Sequence, residues 1–171
     1  IVRMSEWELV IDGSMDVFDA LAANRQVLLD AEGRELALIA QACDEYDVDE
    51  SRTDAAAEKL ITGGAEGTPL VGEFLALELA GLLQVSPDAA LLRIRETLEL
   101  RHRHPQLWVH THNGLLRPWQ ALKVVEACRR AHLSLQATLW VDRQLGLSFG
   151  ALGWAQLMRI LPGLITSADP A

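Results

Sequence analysis

Cys43 and Cys128 are the only cysteines in the 171 residues. They lie far apart with no C-x-x-C context, which excludes a disulfide framework and points to a reducing cytoplasm. β-branched and aromatic residues are sparse beside Ala and Leu. That balance disfavours sheet and favours helix, because unbranched side chains lose little rotamer freedom in a helix. The N-terminus IVRMSEWELVIDG lacks a basic region followed by an apolar run, so no signal peptide is expected. The first residue is not Met: either translation begins at Met4 or the chain has been cut from a longer one. Phosphate loops, dinucleotide fingerprints and nucleophile constellations are missing, and the serines stand mainly where helices need caps. Catalysis is therefore not expected of this chain by itself.

Half of the residues are hydrophobic, enough for one folded domain or for part of a larger one. Charge is unevenly spread. Residues 1–72 carry 5 Lys+Arg against 16 Asp+Glu, a net of −11, and residues 73–171 carry 10 against 8, a net of +2; the sum is the overall −9. Only the second half could approach a polyanion, and the plainer reading of the first is a solvated acidic surface. The last apolar stretch, Leu145–Ile165, contains Gln156, Arg159, four glycines and a proline, so it reads as a buried helix rather than a membrane span.

Apolar residues recur at helical spacing through Ser14–Tyr46 (Val17, Leu21, Leu28, Leu36, Ile39, Cys43), with Gly33 as a candidate break. The acidic, glycine-rich run that follows reads as a connection with one short helical piece at Ala55–Leu60. From there the punctuation becomes regular. Thr68-Pro69 and Ser86-Pro87 each offer a cap and a first turn; Pro105 opens a short helix that Gly114 can close; Pro118 opens another to about Ala131. Ser134 caps a helix ending near Gly146, and Ser148 caps the last, which Pro162-Gly163 disturbs. The chain is expected to be all-α, an irregular multi-helix bundle. Residues 1–67 form an acidic helical segment and linker, and 68–171 a helical core.

Two stretches invite a functional reading. Arg101–Asn113, RHRHPQLWVHTHN, holds His102, His104, His110 and His112 in two H-x-H pairs. On a helix such pairs lie about 200° apart and cannot close on one ion, and no Asp, Glu or Cys stands at ligand spacing. A polar helix junction is the better reading, with Leu107 and Trp108 inward and Arg101, Arg103 and the histidines outward. The second stretch, LALELAGLLQVSPDAALLRIRETL (residues 75–98), resembles a helix-turn-helix with its turn at Gln84–Ser86. Ala80 permits close approach, Val85 would plug the turn, and Leu91, Ile94 and Leu98 would be buried. Arg93 and Arg95 on the second helix, with Arg101 and Arg103 at its end, form the candidate DNA surface. Lys123, Arg129 and Arg130 could add phosphate contacts.

The run EFLALELAGLLQVSPDAALLRIRETLELRHRHPQLW, then NGLLRPWQALKVVEA and the closing ITSADPA, resembles domain of unknown function 222, the helical N-terminal domain of bacterial HNH endonuclease-like proteins. The upstream ALAANRQVLLDAEGRELALIAQACDEY is similar to that family's leading helix. The resemblance implies that the nuclease chemistry lies in a separate C-terminal module holding a divalent metal, so no cofactor and no catalytic residue carries over to this chain. His112-Asn113 echoes the family's motif only superficially. The family continues into further helices beyond Asp169-Pro170-Ala171, which implies that the domain is truncated here.

The leading expectation is thus an accessory domain that helps an HNH-type nuclease engage DNA, with the downstream module as partner. The rival is a non-enzymatic helical domain for protein interaction or self-association. The final helix carries Leu152, Trp154, Leu157, Leu161 and Leu164 on more than one side, so its outer face is expected to need a cover. That cover would be downstream helices or a second copy.

Overall fold

The computed structural model describes residues 16–48, 57–149 and 151–169. Seven helices and one short hairpin follow in the order α1 (Val17–Glu45), β1 (Leu60–Thr62), β2 (Leu70–Gly72), α2 (Leu75–Leu83), α3 (Pro87–Arg103), α4 (Pro105–His112), α5 (Pro118–Arg130), α6 (Leu135–Ser148) and α7 (Trp154–Ala168). The all-α architecture stands, with the hairpin as a small addition.

Local chemistry sets most of the helix ends. The Ser86 hydroxyl accepts a hydrogen bond from Ala89 N–H at 3.2 Å, and Pro87 supplies the first helical residue of α3. Arg101, His102 and Arg103 in its last turn complement the helix dipole. Ser134 caps α6 in the same manner, accepting from Ala137 N–H at 3.2 Å. Gly114, at φ +69°, takes the left-handed conformation that ends α4.

Other expected boundaries move. Thr68-Pro69 does not open a helix. Pro69 O accepts from Gly63 N–H at 3.1 Å, and Leu70–Gly72 pair antiparallel with Leu60–Thr62, Ile61 lying opposite Val71. A Cβ on Gly63 would stand 2.5 Å from Pro69 O and 2.6 Å from Leu98 Cδ1, so only glycine lets the hairpin approach α3 this closely. The helical piece expected at Ala55–Leu60 is not formed where the chain is described, since Ala57–Lys59 are irregular and Leu60 is in a strand; Ala55 and Ala56 lie outside the described residues. Helix α1 passes through Gly33 unbroken for 29 residues. Ser148 is the last residue of α6, not a cap. Helix α7 starts after Gly153, whose N–H is taken by the Gln156 side chain at 3.3 Å. It then continues through Pro162, which faces solvent.

Two clusters form the core, with α3 shared between them. Ile94 and Leu98 pack with Ile39 of α1, Val71 of the hairpin and Leu75 and Leu79 of α2. Leu100 and Leu36 join Leu107, Val125, Val141, Leu145 and Leu161 from α4 to α7. The axes of α2 and α3 meet at 104°, around a turn in which Gln84 adopts φ 54° and Ala80 O accepts from Val85 N–H. Val85, expected to plug that turn, stays exposed, and Leu91 is only half-buried. The turn is closed by its backbone instead. Among the described residues no single helix is long and apolar enough to cross a membrane.

Leu98 is fully buried where hairpin, α2 and α3 meet. Leu98→Ala should destabilise the fold by about 2–5 kcal/mol, read as a lower urea midpoint at unchanged slope.

Candidate functional site

Four of the seven candidate DNA residues are engaged within the chain, three in ion pairs and Arg103 in the core. Helix α1 lies along α3 and supplies carboxylates to it: Arg93 pairs with Glu35 at 3.3 Å and Arg101 with Asp44 at 2.6 Å. Arg130 pairs with Glu126 on its own helix. Arg129 and Arg93 both face Glu96, whose carboxyl burial pushes above its usual value while these two guanidinia pull it down. Arg95 and Lys123 remain exposed, and among the described residues neither has an ion-pair partner. Two carboxylates of α1 thus fold onto arginines of the second half. Such exposed pairs contribute only about 0–1 kcal/mol each to stability, yet they take charge from any surface offered to phosphate.

Arg103 is the clearest departure from expectation. It was placed outward; it is 3% exposed. Its guanidinium donates to Leu133 O at 2.6 Å, Thr138 Oγ1 at 2.8 Å and Glu66 O at 3.2 Å. Arg103 therefore ties α3 to the α5–α6 turn, to α6 and to the loop after β1, and cannot reach a ligand. The same loop is held twice more, by Glu99 accepting from Ala65 N–H and by the Glu66 carboxylate accepting from Leu135 N–H at the start of α6.

The histidines divide likewise. His104, also expected outward, is buried at the α3–α4 junction, and burial with the neighbouring Arg103 charge pushes its pKa down to about 3. Its Nδ1 has no hydrogen-bond partner. His102 is half-buried, and burial followed by Arg101 lowers its pKa. His110 packs on Phe149, and His112 donates from Nδ1 to Trp108 O at 2.8 Å while its ring lies against that indole. Among the described residues no group of three His, Cys, Asp or Glu side chains could hold a metal ion. Because the His104 side chain does not cap α4, Asp142 of α6 does so from across the core. Its carboxylate accepts from Gln106 N–H at 2.8 Å and Leu107 N–H at 3.1 Å. Burial nevertheless raises its pKa to about 6 against those two bonds. An Asp between Val141 and Leu145, in the buried phase of an apolar helix, was the sequence signal for it.

Exposed apolar surface is concentrated elsewhere. On α1 Val17, Phe18, Leu21, Val27, Leu28 and Leu38 face solvent, and on α2 Leu77 and Leu82 do so. Between the two helices runs a groove of about 650 Å³, walled by Val27, Leu38, Ile39, Leu79, Leu82 and Leu83, with Asp30, Arg34 and Glu35 at its polar side. Helix α7, expected to need a cover, packs much of its apolar side against the chain's own core, with several of those residues half-buried. Leu157 and Leu161 are buried, Leu152, Trp154 and Leu164 pack against the same core, and Trp154 meets Trp119 edge-on. Of its large apolar residues only Ile160 counts as exposed. The broad apolar side of α7 is spent on the core it shares with α6. The uncovered face lies at the α1–α2 end.

The junction makes a pH-dependent prediction. His104 titrates near 3 when folded and near 6.5 when unfolded, so its contribution to stability is present above pH 6.5 and is lost as pH falls towards 3. Asp142 acts with opposite sign, its contribution being present below about 3.8 and lost as pH rises through 6. Because Asp142 is common to wild type and a His104→Gln variant, it cancels in their difference. The stability advantage of wild type over the variant should shrink by roughly 2 kcal/mol between pH 7 and pH 5, measured by urea unfolding at each pH. No protein-family model, curated protein or solved structure matches this chain.

Proposed function

We propose that this chain is a non-catalytic helical interaction module, which the family resemblance would place ahead of an HNH-type nuclease in a longer parent. It works through protein contacts rather than by gripping DNA. The observation that carries this reading is the apolar groove between α1 and α2, at which Leu38 is 57% and Leu82 79% exposed. An exposed apolar groove is the usual mark of a surface that another protein covers. Of the arginines that a DNA role would use, Arg93 and Arg101 are drawn into ion pairs with α1 and Arg103 into the core. A DNA-engaging role is the second reading, and it rests on Arg95 and Lys123.

Two measurements separate the readings. Sedimentation of the chain, alone and mixed with the downstream part of its parent, should show association in at least one case. Leu38→Lys combined with Leu82→Lys should abolish it while changing stability by no more than about 0.5 kcal/mol per site, since both residues are exposed. Titration of a labelled DNA duplex at low salt should show no binding. Steeply salt-dependent binding that Arg95→Ala and Lys123→Ala weaken, in a chain that associates with nothing, would replace this reading with the DNA one.

A further inference from the structure

Along α1, Val17, Leu21, Asn24 and Leu28 follow one another at alternating steps of four and three residues, and the rhythm continues through Ala31, Glu35, Leu38 and Ala42. This is the spacing of a coiled-coil seam. The seam does not face the chain's own core, for α1 buries Gly33, Leu36, Ile39 and Ala40, a different side of the helix. Val17, Leu21, Leu28 and Leu38 on it are 47–62% exposed. A seam sustained over a helix of 29 residues, about 43 Å at 1.5 Å per residue, fits another helix of the same kind. We infer that its occupant is α1 of a second copy of this chain, lying antiparallel; the inference rests on the interaction reading above and names its partner.

Direction follows from the polar residues on and beside the seam. A parallel pair would set Glu35 against Glu35 of the second copy, two like charges within the contact. The antiparallel pair whose central layers are Leu28 on Ala31 of the second copy sets Asn24 opposite Glu35 of that copy. Arg93 engages Oε1 of Glu35, which leaves Oε2 for the Asn24 amide. In the outer layers Leu21 then meets Leu38 of the second copy, and Val17 meets Ala42. On one flank Arg25 falls beside Glu32 of the second copy, and symmetry repeats that pair. The parallel register would match Arg25 with Ala20 and Glu32 with Val27, leaving both charges without partners. On the same flank Phe18 comes opposite Ile39 of the second copy, a wall of the 650 Å³ groove together with Leu79, Leu82 and Leu83. One arrangement thus covers the most exposed aromatic side chain among the described residues and fills the groove, twice over.

The test uses cysteines in a Cys43→Ser background. Leu21→Cys and Leu38→Cys lie 17 positions apart on one helix, ~25 Å, too far for a bridge within the chain. Oxidation of the double variant should give a covalent dimer on non-reducing electrophoresis, and each single variant should stay monomeric. Arg25→Glu and Glu32→Arg should each weaken self-association about tenfold in sedimentation, a loss of roughly 1.4 kcal/mol, and the two together should restore it. A chain that stays monomeric at high concentration overturns the proposal, as does a double swap that fails to restore association. Cross-linking of either single cysteine variant would show a parallel pair and overturn the antiparallel one. Association only with the downstream part of the parent overturns the self-pairing and leaves the interaction reading standing. Association with neither overturns both.

Discussion

One buried guanidinium holds together elements that are otherwise distant in sequence. Arg103 ends α3, and its three hydrogen bonds reach the loop after β1, the turn between α5 and α6, and α6 itself. A buried cation is tolerated only when its donors are satisfied, so each of those acceptors must stay in place for the fold to form. Beside it Asp142 performs the complementary task, taking two orphan N–H groups at the start of α4. The α3–α4 junction is thus pinned from both sides by charged residues serving the backbone. It carries the densest polar chemistry in the described chain, and that chemistry is structural.

Charge elsewhere is also spent internally. The first 72 residues hold most of the protein's acidity, and described carboxylates among them reach arginines of the second half. Glu35 and Asp44 meet Arg93 and Arg101, and the boundary drawn at residues 67 and 68 falls inside the hairpin that joins β1 to β2. What this packing leaves over is apolar. On α1, Val17, Phe18, Leu21, Val27 and Leu28 stay exposed although the helix also packs against α3, α4 and α5. The proposed interaction reading and the proposed antiparallel self-pairing both rest on that exposed surface. An apolar surface that the monomer does not bury finds its stabilisation in a partner.

The functional expectation shifts for the same reason. A surface for phosphate needs cations with no nearer anion, and the fold supplies nearer anions to Arg93, Arg101 and Arg130. The overall charge of −9 acts in the same direction at longer range. Arg95, Lys123 and the half-buried Arg129 are what remain of the basic stripe that the linear sequence suggests.

Features fixed by residues near one another in sequence were legible without coordinates. Ser86 with Pro87, Pro105, Gly114, Pro118 and Ser134 set helix ends through bonds and steric limits that span four residues or fewer, and the Ala- and Leu-rich composition set the helical class. The apolar spacing in Ser14–Tyr46 likewise announced α1. The sequence could not say which face of α1 the chain would use, because Leu36 and Leu38 are equally apolar; packing against α3 and α4 buries the first and leaves the second in solvent. The fates of Arg103 and His104 were hidden for a related reason, as were the partners of Asp142, although its place in the buried phase of α6 was visible. Their partners stand 30 to 37 residues away for Arg103 and 35 or 36 for Asp142. A polar side chain in a helix reads as surface until the groups that surround and bury it are brought alongside. Tertiary structure alone decides that, because it alone determines which charges meet each other before they meet water.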